Sequence, residues 1–367
     1  MQINYKNNIV NIAQSLLKHY NLATNQATLP LLNKYLAKDY DHIAVILLDG
    51  HGSNHFTLHE NETTFLKQHL KTELSSVFPA TTTAATTAMQ TGLTPYESGF
   101  LGWFQYFPKE DLHYTIFMNE DYYEPKKSIP KDFYDTYFKR ETIFEKVNKH
   151  KLAKTKQFYP KKIDKQGYET LEEGLDRLTT FQKNNSKTLA YLYSIEPDFS
   201  SHHHGITSTE VKDALTSIND NLIKLPEKLP KNTLIILTAD HGLVDVEAID
   251  LFDYHDLTST FEHLPAGEPR ATQFFIKEGM HEHFINFFEE HFGQYFNLYT
   301  KAELLSKKLL GTGEPSELID TCLGDFIAIA KDRYMFKLSD KQAHLAHHGG
   351  MSQGELIVPL SIITRDD

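Results

Sequence analysis

The sequence predicts an α/β protein in which helices flank a doubly wound, mainly parallel sheet. Short apolar runs of strand length recur along the chain, and segments with apolar residues at helical spacing separate them. This alternation is typical of parallel sheets, because consecutive parallel strands need a crossover connection. A smaller strand–helix–strand pattern late in the chain predicts an inserted α/β cap.

Four apolar runs are the predicted parallel strands of the core: HIAVILLD (42–49), LAKTKQFYP (152–160, the weakest), KTLAYLYSI (187–195) and TLIILTAD (233–240). Helical patterns lie between them: Ile143 and Val147; Leu171, Leu175 and Leu178; and Val211, Leu215, Ile218 and Leu222. The apolar run LIVPLSII near the end of the chain predicts one more strand.

The predicted core comprises residues 1–260 and 338–367, and residues 261–337 are the predicted cap. The cap pattern consists of TQFFIK, HEHFINFFEEHF and DFIAIAK. The aromatic stretch 103–140 shows neither the helical nor the strand spacing of apolar residues, so we interpret it as an irregular excursion that lines a cleft.

Composition excludes several classes of function. The chain has 367 residues, 40% of them hydrophobic, and a formal net charge of -12, which argues against binding duplex nucleic acid. The single cysteine, Cys322, allows no internal disulfide. The first residues lack the order of a secretion signal, and no apolar run reaches bilayer length. We therefore expect a cytoplasmic protein that does not associate with membranes.

Polar residues follow the predicted strands, where doubly wound sheets bind ligands. They are Asp49, Asp198 with His202, Asp240 with His241, and the pair His347 and His348 before the last strand. Singly, each is more typical of a turn, a helix cap or the surface. Together they gather carboxylates that would repel one another unless cations neutralised them. Mixed Asp and His donors predict two divalent cations, zinc or alternatively manganese.

The segment FPATTTAATTAMQTGL (78–93) has two interpretations. It is either an Ala/Thr-rich helix that packs closely on the sheet, or a nucleophile turn with one hydroxyl at a helix N-terminus, which favours phosphate. The helix is predicted to run to about Gln90, with Gly92 as its stop. A threonine beside a bound metal would become a nucleophile.

These motifs together resemble the alkaline phosphatase superfamily, and within it the type I nucleotide pyrophosphatase/phosphodiesterase branch. VILLDG is similar to the family's first metal-aspartate strand, TTTAATTAMQTGLTP to its nucleophile helix, and EPDFSSHHHG, TADHG and HHGG to its remaining ligand motifs. The order is that of the family. The motifs cover about residues 40–103, 187–245 and 345–362.

The resemblance implies two metal sites. Asp198, His202 and His348 would hold one ion; Asp49, Asp240, His241 and the nucleophile would hold the other. In the family the nucleophile stands nine residues before the threonine of the closing Thr-Gly, here Thr91, which selects Thr82. Thr81 and Thr83 are the alternatives, and His347 is the alternative to His348.

One departure concerns the transition state. Relatives carry Phe-Pro-Asn after the nucleophile, whereas this chain has Thr83, Ala84 and Ala85, so the oxyanion-binding asparagine is missing at Ala85. A backbone N–H or the Thr83 hydroxyl would have to replace it.

The resulting expectation is a two-metal hydrolase of phosphodiesters or nucleotide pyrophosphates, acting through a phospho-threonine on a small phosphorylated substrate such as a nucleotide. A phosphomonoesterase, phosphonate hydrolase or phosphomutase on the same fold is the alternative. No arginine lies beside Thr82 in the sequence, but Arg270 in GEPRAT could reach the site from the cap and bind a second phosphate charge. A metal-binding regulatory module without turnover is the alternative of another class.

Overall fold

The computed structural model describes residues 3–339 and 344–366. The termini of the predicted core (1, 2 and 367) and its segment 340–343 lie outside the described residues. The strands are β1 His42–Leu48, β2 Leu70–Ser75, β3 Phe104–Phe107, β4 Leu112–Thr115, β5 Glu120–Asp121, β6 Lys154–Phe158, β7 Thr188–Ser194, β8 Thr233–Thr238, β9 Val244–Asp245, β10 Glu247–Asp250, β11 Phe261–Glu268, β12 Ala271–Ile276, β13 Phe296–Thr300, β14 Phe326–Ala330, β15 Tyr334–Lys337, β16 Ala346–His347 and β17 Ile357–Arg365.

Helices connect these strands, and a 3-10 turn spans Leu251–Asp253. The helices are α1 Val10–His19, α2 Pro30–Leu36, α3 His55–Leu58, α4 Thr64–Gln68, α5 Thr82–Thr91, α6 Pro95–Ser98, α7 Phe133–Tyr137, α8 Ile143–Lys149, α9 Leu171–Lys183, α10 Asp198–His204, α11 Thr209–Lys228, α12 His255–Thr258, α13 His281–Phe292, α14 Lys301–Ser306, α15 Leu318–Cys322 and α16 Gln353–Leu356.

The central sheet has the strand order β2-β17-β8-β1-β7-β6. β1 pairs in parallel with β7 and β8, and β6 with β7, which confirms the predicted parallel strands. β17, predicted from its apolar run alone, is antiparallel to both β8 and β2. β2 was not predicted, because its first four side chains are only partly buried or exposed and it lacks an apolar run.

Helices cover both faces of this sheet, so the predicted doubly wound architecture is confirmed. Alternate residues of β1 separate into two cores: Ile43, Val45 and Leu47 pack with α1, α5 and α8, whereas Ala44, Ile46 and Leu48 pack with α9 and α11. This division follows from the two-residue period of a strand. Both faces must be apolar, which is why β1 is a continuous hydrophobic run.

A second, antiparallel sheet has the order β13-β14-β12-β11-β3-β4-β5. Phenylalanines of α13 pack with this sheet in a third core. The interpretation of residues 103–140 as an irregular excursion is wrong in part, since 104–121 supply β3 to β5. Local sequence gave no sign of this, because β3 joins the sheet through Gly267, far along the chain. The domain boundaries stay a prediction, although this sheet takes strands from outside 261–337.

Across the residues that the structure describes, no helix combines the length and the apolar character needed to span a bilayer.

Candidate active site

Loops at one edge of the central sheet carry the predicted site residues. Because β1, β7 and β8 are parallel, the residues that follow them, Asp49, Asp198 and Asp240, emerge at the same edge. His348 precedes a strand instead of following one. That strand, β17, is antiparallel to β8, so it begins at the edge where β8 ends. All four predicted groups therefore meet there.

The first ligand group, Asp49, Asp240 and His241, is enclosed, with each side chain 4% exposed or less and its donor atoms within 4.8 Å of one another. His241 Nε2 lies 3.4 Å from Oδ1 of Asp49 and 3.7 Å from Oδ2 of Asp240. The Tyr193 hydroxyl donates to Oδ2 of Asp49, and the Gly50 and His241 backbone N–H groups donate to Oδ1 of Asp240. One oxygen of each carboxyl group is left beside the imidazole.

The second ligand group is more open. α10 places Asp198 and His202 one turn apart on the same face, with His202 Nε2 3.4 Å from Oδ1 of Asp198. His348 Nε2 lies 3.8 Å from the same oxygen. The Asp198 and His202 side chains are 14% and 13% exposed.

The two groups share a wall. The rings of His241 and His348 stack with their centroids 3.8 Å apart, and the Asp198 N–H donates to the Asp49 carbonyl oxygen. Gly50 allows this approach. Its φ is +70°, and a Cβ atom there would lie 2.8 Å from the Cβ of Asp198.

The donor atoms fit the two divalent cations that the resemblance implies. Each histidine has its Nδ1 against a backbone carbonyl oxygen: His202 on Ala346 (2.8 Å), His348 on Ala80 (3.0 Å) and His241 on Gly242 (3.2 Å). A proton at Nδ1 leaves the Nε2 lone pair free, which is how metal-binding histidines are oriented. Oδ1 of Asp49, Oδ1 of Asp198 and Oδ2 of Asp240 are buried without a hydrogen-bond partner among the described residues. Three carboxylate oxygens and three imidazole nitrogens are therefore available as metal ligands.

Electrostatics agree with this fit. Burial, followed by repulsion from Asp240 and Asp198, raises the pKa of Asp49 well above its usual range. Burial and the charge of Asp240 do the same to the pKa of Asp198. Burial and the neighbouring imidazoles lower the pKa values of His202 and His348. Divalent cations in the site would favour the carboxylate and neutral imidazole forms.

The three neighbouring threonines have different surroundings. Thr82 opens α5, and its Oγ1 lies 3.2 Å from Nε2 of His241. The Thr83 hydroxyl instead donates to the Gly102 carbonyl oxygen. The Thr81 hydroxyl is buried without a hydrogen-bond partner among the described residues. The geometry therefore favours Thr82 of the three, although its role as nucleophile stays a prediction.

Sequence reasoning missed Glu268, the last residue of β11. Its side chain is buried, and a carboxylate oxygen lies within 4.8 Å of donor atoms of His347 and His348. Burial raises the pKa of Glu268 to about 8. The nearby Thr81 hydroxyl lowers this pKa in part, although it does not form a hydrogen bond with the carboxyl group. Only the second sheet brings this carboxyl group to the site, so local sequence gave no signal for it.

Arg270, the predicted partner for a second phosphate charge, is committed elsewhere. Its guanidinium donates to both carboxylate oxygens of Glu355 and to the carbonyl oxygens of Asp332 and Tyr334. This pair is fully buried, and the Arg270 charge and its hydrogen bonds hold the pKa of Glu355 below its ordinary value despite burial. Arg270 is therefore a structural residue.

His347, the alternative last ligand, is buried, and its Nδ1 lies 2.9 Å from the backbone N–H of His348. It groups with Glu268 and His348, and also with His202 and His344, but not with Asp198. The geometry thus favours His348 as the residue that completes the Asp198 group.

Known proteins share this architecture. No curated protein sequence matches the chain. Solved structures do: murine ectonucleotide pyrophosphatase/phosphodiesterase 5 (TM-score 0.66, 17% identity, 87% of each chain covered) and its human counterpart (TM-score 0.65, 17% identity, 88% of each chain). An inactive threonine-to-alanine variant of the murine protein, in complex with AMP, matches with a TM-score of 0.66, 16% identity, and 88% and 87% of the two chains. At such identities the likeness shows the fold.

The sequence profile of the type I phosphodiesterase/nucleotide pyrophosphatase family matches residues 43–351. This stretch covers most of the chain and contains every predicted site residue. The resemblance inferred from the motifs is confirmed. The protein therefore belongs to the type I phosphodiesterase/nucleotide pyrophosphatase family of hydrolases.

Proposed function

We propose that the protein is a two-metal hydrolase of phosphodiesters or nucleotide pyrophosphates and that Thr82 is its nucleophile. One observation carries the proposal: the Thr82 hydroxyl lies 3.2 Å from His241 Nε2, at the start of a helix and beside the six donor atoms of the two ligand groups. The inactive threonine-to-alanine variant of the murine protein supports an essential threonine in this fold.

Asp49, Asp240, His241 and Thr82 would hold one cation, and Asp198, His202 and His348 the other. Aspartate and histidine donors suit zinc, with manganese as the alternative. When bound, such cations activate an attached hydroxyl or water and offset the charge on the phosphoryl oxygens.

The chain itself positions the nucleophile. As a bond forms between Thr82 Oγ1 and phosphorus, the bond from phosphorus to the leaving oxygen breaks, and the leaving group departs with a proton. Water then attacks phosphorus in the phospho-threonine, which still carries the second ester group of the substrate. The bond from phosphorus to Thr82 Oγ1 breaks, Thr82 regains a proton, and a phosphomonoester is released. The first backbone N–H groups of α5 have no acceptor within the helix, so they can donate to the phosphoryl oxygens.

Backbone N–H groups are also the proposed substitute for the asparagine missing at Ala85. The Ala85 N–H donates to the Thr81 carbonyl oxygen, and the Thr83 hydroxyl proton is used by Gly102. Among the candidates that the sequence left open, the free N–H groups at the start of α5 therefore remain for this role.

A nucleotide substrate is supported by the AMP bound to the murine relative. A diester is favoured over a monoester because Arg270 is held by Glu355 and cannot bind a second phosphate charge. The phosphonate hydrolase and phosphomutase alternatives share the same donor atoms. A regulatory module without turnover is disfavoured, because a nucleophile lies beside complete ligand groups.

A substrate panel tests the proposal. The zinc- and manganese-loaded protein would be assayed with bis-(nitrophenyl) phosphate, nitrophenyl phosphate, a nitrophenyl nucleotide ester and a nitrophenyl phosphonate monoester. We expect the two diesters to turn over fastest and chelation to abolish turnover. Dominant hydrolysis of the monoester or the phosphonate, or no hydrolysis by either metal form, would contradict the proposal. The predicted cytoplasmic location, and the absence of membranes and duplex nucleic acid among its partners, stay predictions.

A further inference from the structure

Glu268 is a carboxyl group that the predicted metal sites do not use. It ends β11, and its side chain is 1% exposed, with Oε1 lacking a hydrogen-bond partner among the described residues. A carboxylate oxygen lies within 4.8 Å of donor atoms of His347 and His348. Its charge also contributes to the raised pKa of Asp198. Glu268 therefore borders the more open ligand group.

The fold holds this side chain in place without neutralising it. Gly349 has a φ of +105°, and a Cβ atom there would lie 2.9 Å from both Cβ and Cγ of Glu268. The glycine thus leaves the space that the side chain occupies. Arg270, two residues further along the chain, makes its ion pair with Glu355 instead. The Arg270 guanidinium, which is close to Glu268 in the chain, is therefore not the partner that neutralises the Glu268 carboxylate.

The charge of the site depends on this group. Two bound divalent cations would carry four positive charges, and the carboxylates of Asp49, Asp198 and Asp240 would offset three of them. Adjoining cations would favour the carboxylate form of Glu268, which would offset the fourth charge. A phosphodiester adds one negative charge at phosphorus, whereas a phosphomonoester dianion adds two. The negative charge of the carboxylate would repel this additional charge and so disfavour the dianion.

We propose that Glu268 is a specificity-determining residue, whose carboxylate at the His348 side of the site selects phosphodiester monoanions over phosphomonoester dianions. This inference rests on the proposed function. It assigns the substrate preference to one side chain contributed by the second sheet, separate from the nucleophile and the predicted ligands.

Glu268→Gln tests it, because the substitution keeps the shape of the side chain and removes its charge. We expect kcat/KM for nitrophenyl phosphate, relative to bis-(nitrophenyl) phosphate, to rise by about tenfold or more. Both metal equivalents, measured by mass spectrometry of the bound elements, should remain. Because the variant removes a buried carboxylate whose Oε1 lacks a partner among the described residues, we also expect the metal-free protein to melt no lower than wild type. Glu268→Ala is the second neutral variant if the glutamine variant does not fold.

Glu262→Gln is the matched control, since Glu262 lies on the same strand but is exposed. It should leave the ratio of the two kcat/KM values unchanged. Glu268→Asp, which keeps the charge, should stay closer to wild type than either neutral variant. An unchanged ratio in the neutral variants with both ions bound, or the loss of an ion from them, would overturn the assignment. Absence of hydrolysis of either ester by wild type would instead refute the proposed function on which it rests.

Discussion

The two predicted ligand groups have similar side chains but different surroundings. Asp49, Asp240 and His241 are carried by loops that directly follow β1 and β8, and they are almost completely buried. Asp198 and His202 project from the short helix α10, and both side chains keep partial access to solvent. Similar metal-binding side chains are thus buried at the ends of β1 and β8 in one group and partly exposed on a short helix in the other.

Under the proposed function, the two ligand groups would have different roles. The enclosed group contacts Thr82, so under the proposed mechanism it would act on the nucleophile. The open group borders Glu268 and is partly exposed, so under the same mechanism it would act where the leaving group departs and water enters. Substitutions in one group can therefore be compared with substitutions in the other.

The largest effect is expected at the enclosed side. Thr82→Ala should reduce kcat by ~10⁴-fold or more, as the loss of a covalent nucleophile does in other hydrolases. Both metal equivalents and the fold should persist, because the fully buried aspartates and His241 remain. Steady-state assays with the best substrate of the panel, combined with metal analysis, would measure this.

Thr83→Ala is the matched control, one residue along the same helix. Its hydroxyl binds the Gly102 carbonyl oxygen, so we expect a stability loss of about 1 kcal/mol and a much smaller change in rate. Rapid acid quench and mass spectrometry should find the phosphoryl group on Thr82. A phosphoryl group on Thr81 or Thr83, or near-normal rates in Thr82→Ala, would show that another hydroxyl attacks.

The next effect separates the two ions. Asp240→Ala should leave one metal equivalent, held by the open group, and Asp198→Ala should leave one equivalent, held by the enclosed group. Because only the open group is partly exposed, a chelator should remove metal rapidly from Asp240→Ala and slowly from Asp198→Ala. Wild type should lose its two ions in two phases. Two tightly bound equivalents in either variant would contradict the ligand assignment.

The smallest effect is expected in the metal-free protein. Asp49, Asp198 and Glu268 have raised pKa values, so the folded state binds their protons more tightly than the unfolded state does. The contribution of Glu268 to stability is therefore lost as the pH rises towards its pKa of about 8, and the contributions of Asp49 and Asp198 are likewise lost as the pH rises through their raised pKa values. The lowered pKa values of His202 and His348 have the opposite effect, because they make stability increase as the pH rises. This effect is confined to pH values below about 6.5, the ordinary pKa of histidine.

Thermal melts after chelation should consequently show falling stability between pH 6.5 and 8, by roughly 1.4 kcal/mol per pH unit for each proton lost. Glu268→Gln should weaken this dependence, and zinc should suppress it by favouring the carboxylates. A metal-free protein whose stability rises over that interval would show that the carboxyl groups are not held as the structure has them.

Much of the fold was predictable because its signals are local. The parallel strands are continuous apolar runs, and the end of α5 follows from Gly92, which adopts a φ of +77°. The second sheet was harder, since β3 to β5 were mistaken for an irregular segment. β3 pairs with β11, about 160 residues further along the chain, and no short sequence window contains both strands.

By itself the sequence determined the fold class, the family and the residue types that could bind two cations, because strand periodicity and motif order are properties of short segments. Only the tertiary structure decided which side chains meet. The Thr82 hydroxyl lies beside His241, whereas the Thr83 hydroxyl donates to a backbone carbonyl oxygen. Arg270 forms an ion pair with Glu355, and Glu268 lies beside the open ligand group. Such contacts depend on how distant strands pair and on where burial leaves a polar atom without a partner, and neither is encoded in neighbouring residues.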